Sequence, residues 1–333
     1  MFIVQDYSLA VLFCFITMLC WGSWANTQKL VAKNWRFELF YWDYVWGLVI
    51  LSLLAAFTLG SSGPEGRPFM ADLAQASTKS LGFAFVGGVV FNLANILLTA
   101  AIAGAGMAVA FPIGIGLALV IGVLLNYLLL NKGNPVLLFV GVLLVALAIV
   151  LNARAYRKKV KGKEQAAGKW IVTAIIAGIL MSCFYSFVAA GMDLVDFVHP
   201  APGKMTPYTA VVLFASGVLV SNLFFNTILM RRPLAGPPIS YATYFGGKLK
   251  WHLVGILGGG IWAVGNLLNL IAAGKAGPAI SYGLGQGATL VAALWGVLVW
   301  REFKDADKQT NYLLMAMFVT FILGIFLIIK AGA

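Results

Sequence analysis

Charge is scarce in this chain: Asp, Glu, Lys and Arg together fill 10% of its 333 positions, where an ordinary soluble domain carries roughly a quarter. Histidine and cysteine are scarcer still, with two and three copies. Cys14, Cys20 and Cys183 all fall inside apolar runs, two of them in the same run, so no loop-closing disulfide framework is available. His199 and His252 stand near the ends of apolar runs with no cysteine or carboxylate at ligand spacing, so no metal site is expected. There is no glycine-rich loop ending in Lys-Ser/Thr, which argues against ATP-driven work by this chain alone. No Ser/His/Asp arrangement can be drawn either. The expectation is a protein that is not an enzyme and holds no cofactor.

What fills the chain instead is hydrophobic sequence, 61% of all residues. Runs long enough to span a bilayer, about 20 residues each, lie near 8–28, 40–60, 81–102, 107–130, 135–152, 170–192, 207–229, 252–273, 278–300 and 311–330. The fold expected is an all-α integral membrane protein of ten transmembrane helices. The first run follows Asp6 with no basic residue before it and no small-x-small site after it, so it reads as a retained helix rather than a signal peptide.

The net charge of +12 could suggest nucleic acid, but its distribution does not. The longest basic run, Arg154, Arg157, Lys158, Lys159, Lys161, Lys163 and Lys169, lies between two spans and reads as a cytosolic connector. Alternate loops carry 17 Lys and Arg on one side and 6 on the other, so the positive-inside rule puts both termini outside. The expected location is the plasma or bacterial inner membrane, crossed many times.

Segment 87–120 recurs without a gap as 258–291, a shift of 171. Gly87, Gly88, Asn95, Gly114 and Gly116 match Gly258, Gly259, Asn266, Gly285 and Gly287. A shorter echo links Cys20-Trp21-Gly22-Ser23-Trp24 with Cys183-Phe184-Tyr185-Ser186-Phe187. The organisation read from this is a first five-helix repeat over 1–152, a basic cytosolic linker over 153–169 and a second five-helix repeat over 170–333. Five crossings per half put the halves in inverted topology, about a pseudo-two-fold axis in the membrane plane. Duplicated membrane halves of this kind build many secondary transporters, with the solute held near the midplane between repeats. Within each half the third and fourth spans are joined by almost nothing, Ala103-Gly104-Ala105-Gly106 and Gly274-Lys275-Ala276-Gly277, which predicts tight hairpins.

Few polar residues enter the spans, so each is informative. Asp43, in Phe40-Tyr41-Trp42-Asp43-Tyr44, lies at or just inside the start of the second span. A carboxylate there is either an interfacial acid paired with Lys29 or Arg36, or a proton carrier facing a cavity. Asn92 and Asn95 sit three apart on the third span, and Asn266 and Asn269 repeat that spacing on the eighth, so each pair shares a face. Buried amides need partners for two donors and an acceptor; a polar solute or interhelical hydrogen bonds would serve equally. Aromatic residues accompany them: Trp21 and Trp24 around a Gly-Ser step, Trp262 one turn before Asn266, and Tyr282 one turn before Gln286. Flat rings with amides at their edge are how proteins hold sugars and planar heterocycles. The candidate solute-binding set is therefore Trp21, Trp24, Asn92, Asn95, Tyr185, Trp262, Asn266, Tyr282 and Gln286, with Asp43 as the candidate proton-coupling residue.

Cys-Trp-Gly-Ser-Trp in the first span, Glu38 to Tyr44 opening the second, Gly87-Gly-Val-Val-Phe-Asn-Leu-Ala-Asn95 in the third and Leu-Asn126-Tyr127 ending the fourth resemble a known group. It is the glucose/ribose porter and ureide permease branch of the drug/metabolite transporter superfamily, with the rhamnose–proton symporters as more distant relatives. The resemblance implies uptake of a small polar solute together with protons. A monosaccharide is the first substrate class, a ureide or nucleobase the alternative, and export of metabolites or drugs the third reading. The chain lacks the long central cytosolic domain that plant ureide permeases carry between the fifth and sixth helices.

Overall fold

The computed structural model describes residues 1–105, 107–159, 168–299, 301, 303–304 and 306–332. Its long helices follow the apolar runs closely. They are α1 (Tyr7–Val31), α2 (Phe37–Phe57), α4 (Thr78–Ala105), α5 (Met107–Leu130), α6 (Pro135–Lys159), α7 (Gly168–Gly191), α8 (Pro207–Arg231), α10 (Leu249–Ala276) and α13 (Lys308–Gly332). Two short helices occupy connectors, α3 (Phe69–Gln75) and α9 (Tyr241–Phe245). Among the described residues nine helices are long and apolar enough to cross a membrane, and the apolar stretch Ile113–Leu129 of α5 stands beside them. The hairpin residue Gly106 and the centre of the expected linker, 160–167, lie outside the described residues, although helix continues from the fifth span through Lys159.

Local chemistry sets several helix ends. Asp6 caps α1 by accepting from the Leu9 amide at 2.8 Å, and Asn134 caps α6 by accepting from Val136 and Leu137, with Pro135 as the first helical residue. The turn between α10 and Pro278 is as tight as the sequence predicts. It is made at Gly277, whose φ of 83° is open to glycine and strained for other residues.

The ninth span departs from the expected single helix. It runs as α11 (Pro278–Gly285), breaks at Gln286-Gly287, resumes as α12 (Ala288–Leu294) and ends in a π turn over Trp295–Val299. Glycine at 283, 285 and 287 gives this stretch little helical preference of its own, and Trp295 anchors its far end by donating to Ser23 Oγ at 2.9 Å. Interrupted spans expose backbone groups only where protein or a cavity surrounds them.

Packing is reciprocal between the two halves. α4 lies along α7 and α8, and α10 lies along α1 and α2. A Cβ on Gly88 would stand 2.0 Å from the Phe214 carbonyl oxygen, and one on Gly259 would stand 1.8 Å from that of Tyr44. Gly217 meets the Phe85 carbonyl at 2.1 Å and Gly47 meets that of Ile256 at 2.0 Å in the same way. Small residues let backbones approach where lipid supplies no hydrophobic drive. Gly259→Ala should therefore cost at least the roughly 1–3 kcal/mol of ordinary overpacking, because the obstacle is backbone. Gly260, whose Cβ would meet nothing within 4 Å, is the control. Scanning fluorimetry of detergent-solubilised protein should show a clear drop for Gly259→Ala and none for Gly260→Ala.

Both ends of the chain meet one face. The Met1 ammonium donates to the Glu65 carbonyl, Tyr7 donates to the Ile329 carbonyl at 2.6 Å, and the Asn134 amide donates to Ala331 at 2.7 Å. The opposite face gathers the basic connectors. There Arg36 donates to the Pro237 carbonyl at 2.6 Å, Lys169 to that of Leu234 at 3.2 Å, and Lys158 approaches Asp307 at 3.9 Å.

Candidate functional site

Where the two groups of helices meet, a narrow cavity opens, in part to solvent. Its aromatic wall is Trp21 and Trp24 from α1, Phe111 from α5, Phe184 from α7 and Trp262 from α10. Leu98, Ile115, Met181 and Ala288 complete the apolar part, and the polar lining is Asn95 and Gln286. Among the described residues no lining side chain is ionisable. The indoles of Trp21 and Trp262 stack with centroids 5.7 Å apart and planes 10° apart, and Phe91 backs Trp262 at 4.2 Å. Trp24 rests on Tyr44 at 5.0 Å. These rings hold their faces by mutual packing, so the wall is formed before a solute arrives.

The two lining amides are held differently. Asn95 Nδ2 donates to the Tyr41 hydroxyl at 3.2 Å, which fixes the amide and leaves Oδ1 as the atom free to accept. Gln286 stands at the break in the ninth span, and its side-chain amide makes no hydrogen bond among the described residues. Asn95 thus presents an acceptor, while Gln286 supplies two donors and an acceptor.

The remaining candidates pack around the cavity rather than in its lining. Asn92 donates to Ser221 Oγ at 2.9 Å. Tyr185 shares a 3.0 Å hydrogen bond with Ser281. The buried Tyr282 hydroxyl points at the carbonyls of Ala118 and Met181, both at 3.2 Å, and so ties α11 to α5 and α7. Asn266 is buried, and neither its Nδ2 nor its Oδ1 has a hydrogen-bond partner among the described residues. Trp21 Nε1 is likewise unpartnered. Among the lining residues that polarity did not single out, three were within reach of the repeat register. Phe184 echoes Trp21 at the shift of 163, while Ile115 and Phe111 match Gln286 and Tyr282 at 171.

Asp43 lies inside the second span rather than at its start, because α2 begins at Phe37. Neither of the basic residues weighed from sequence is among its hydrogen-bond partners: Arg36 pairs with Glu38, Nε to Oε2 at 3.2 Å. Asp43 accepts from three groups instead. Trp35 Nε1 reaches Oδ2 at 3.0 Å, and the Tyr244 hydroxyl and His252 Nδ1 both reach Oδ1 at 2.7 Å. Burial, and then the carboxylate it donates to, push the Tyr244 phenol above its ordinary range, so it remains a donor. Asp43 is outside the cavity lining. Its helical neighbour Tyr44 packs on Trp24, and Tyr41 holds Asn95, so α2 joins the acid to the cavity. Among the described residues no group of three His, Cys, Asp or Glu is placed to hold a metal ion.

Comparison with known proteins agrees with this architecture. A solved crystal structure superposes with a TM-score of 0.62 at 16% identity over 97% of this chain and 99% of that one, a likeness of fold alone. Ureide permease 1 of Arabidopsis thaliana is 25% identical over 98% of this chain and 97% of its own length. Probable ureide permease A3 of Vigna unguiculata is 25% identical over 92% and 99%. A putative sugar uptake protein of Listeria innocua is 22% identical over 77% and 81%. The ureide permease family profile matches residues 40–166 and 153–331, nearly the whole of the apolar sequence. The chain is a membrane transporter of small solutes and belongs to the ureide permease family.

Proposed function

We propose that this protein imports a small, neutral, flat polar solute by alternating access between two inverted five-helix repeats, 1–152 and 170–333, joined by the basic linker 153–169. Ten transmembrane helices with both termini outside complete that topology. The observation that carries the reading is the cavity: stacked indoles, two amides and, among the described residues, no ionisable side chain. A charged solute would enter an apolar wall without a counter-charge, which is costly. A planar ring or ureide can lie on the indoles and direct its N–H groups at Asn95 Oδ1 and its carbonyls at Gln286. A ureide or nucleobase is therefore the first substrate class. A monosaccharide, the reading favoured from sequence, remains the second, supported by the Listeria relative. The inverted arrangement is supported by the reciprocal glycine contacts, in which Gly88 and Phe214 on one side answer Gly259 and Tyr44 on the other.

Coupling to protons is assigned to Asp43, buried on α2, whose Tyr41 hydroxyl accepts from Asn95; Glu38, also buried on α2, is engaged by Arg36. Asn266 enters as a residue used in another state of the cycle. A buried amide without partners is destabilising by about 1–3 kcal/mol, so Asn266→Leu should raise the apparent unfolding temperature while lowering transport. A loss of both stability and transport would make it a packing residue. The substrate class is tested by a thermal-shift screen of purified protein against allantoin, uracil and glucose, since a ligand that binds only the folded state raises its apparent stability. Stabilisation by allantoin or uracil and not by glucose supports the first class, and the reverse pattern the second. No shift with any of the three beside a shift with a charged solute such as glutamate, added as a fourth arm, would overturn both.

A further inference from the structure

His252 is the more exposed member of its pair with Asp43, its side chain 19% accessible against 2% for the carboxyl. It stands one turn into α10, on the face that collects the basic connectors, with Nδ1 against Asp43 Oδ1 at 2.7 Å. Over both residues lies the connector from α8 to α10. This strap, residues 232–248, is held at its start by Arg36, which donates to the Ala235 and Pro237 carbonyls, and by Lys169, which donates to that of Leu234, and farther along by two tyrosines. The Tyr241 hydroxyl bonds to Thr227 on α8, and the Tyr244 hydroxyl donates to Asp43 on α2. Trp35 closes the remaining side, with its ring 5.0 Å from that of His252 and 6.1 Å from that of Tyr244. Several charged groups lie near the pair, among them Lys250, which is exposed two residues before His252. Arg36 is engaged by Glu38 and by the Ala235 and Pro237 carbonyls, and Lys248 lies over the Trp251 ring at 5.6 Å. Lys29 and Lys33 belong to the end of α1 and the turn that follows it.

The matched positions on the opposite face carry no such pair, and the His199–Asp196 contact of that face, 3.3 Å, is exposed on both sides. The repeat shift of 171 matches His252 with Leu81, and the matched packing of Gly47 with Gly217 fixes a shift of 170 that pairs Asp43 with Leu213. Both leucines are partly buried apolar residues. Of the two sets of matched positions, only the one on the basic face carries a histidine and a carboxylate.

We propose that His252 is the port through which Asp43 exchanges its proton with the basic face, and that this exchange docks and releases the strap that joins α8 to α10. The inference rests on the reading of Asp43 as the coupling acid. In the docked state all three neighbours donate to a carboxylate, which is acceptor-only when ionised. A proton arriving from water at His252 Nε2 makes the imidazolium. The proton on Nδ1 then passes to Asp43 Oδ1, leaving a neutral imidazole with its proton on Nε2 and a neutral carboxylic acid. The His252 bond reverses, with Oδ1–H donating to the bare Nδ1, and the Tyr244 hydroxyl, now bonded to a neutral acid instead of a carboxylate, is held less strongly and can leave with the strap.

The test reads the strap and needs no solute. Spin labels at Lys33→Cys and Ala242→Cys, both exposed, in protein with Cys14, Cys20 and Cys183 replaced, report strap docking by pulsed electron resonance in liposomes at pH 5 and pH 8.5. The expected result is a second, longer distance that grows on acidification. Asp43→Asn should remove this pH response, and Tyr244→Phe should give the longer distance at both pH values. His252→Gln should reach the same end points but relax at least ten-fold more slowly after a pH jump. A strap whose distance ignores pH in the parent protein, or stays docked in Tyr244→Phe, overturns the proposal, and an unslowed His252→Gln overturns the port. Thermal shifts with allantoin, uracil and glucose in the same variants separate the two claims: solute binding retained beside a pH-blind strap sinks this inference alone.

Discussion

Asn95→Leu is expected to weaken solute binding by about 1–3 kcal/mol, roughly five- to 150-fold, the penalty for leaving a buried polar partner unpaired. Among the described lining residues the side-chain amides are those of Asn95 and Gln286, so a solute has few other acceptors to turn to. The amide of Asn95 is fixed by Tyr41 at 3.2 Å, so its Oδ1 is offered without further ordering cost. Tyr41→Phe should therefore act in the same direction by a smaller factor, by freeing the amide to turn. Isothermal titration with whichever of allantoin, uracil and glucose binds the parent protein measures both. Equal affinity in parent and Asn95→Leu would remove Asn95 from the site.

The second large effect concerns energy coupling. Asp43→Asn is expected to abolish accumulation of solute against its gradient while leaving exchange across the membrane partly intact, because binding and rocking need no titrating group. The asparagine keeps one acceptor toward His252 and Tyr244 but turns an N–H toward the Trp35 donor, so some loss of stability accompanies it. Proteoliposomes with an imposed pH gradient measure accumulation, and the same vesicles without a gradient measure exchange. Concentrative uptake by the Asn variant would make Asp43 structural.

The span positions were legible because about 20 apolar residues is what a bilayer demands. Most helix ends lie within three residues of those expected, α6 runs seven residues further, to Lys159, and Gly277 makes the predicted turn. The break at Gln286-Gly287 was hidden because a run of small apolar residues reads as a span whether the helix is whole or interrupted. The amides were legible as polar residues in spans, but periodicity alone could not separate Asn95, which meets the cavity, from Asn92, which donates to Ser221. Tyr282 and Phe111 show the same limit. They match in register, yet the tyrosine spends its hydroxyl on helix carbonyls and the phenylalanine lines the cavity. The partners of Asp43 stayed out of reach for a different reason. Tyr244 and His252 lie 201 and 209 residues away along the chain, and no local pattern connects residues at that distance.

Counterflow tests the central claim most directly. Proteoliposomes preloaded with unlabelled solute would be given tracer uracil, allantoin or glucose outside, with no proton gradient. The account predicts exchange of at least one of them through the parent protein and its loss in the Asn95→Leu/Gln286→Leu double variant, with both proteins folded by size exclusion. Exchange by the double variant at the parent rate would contradict it.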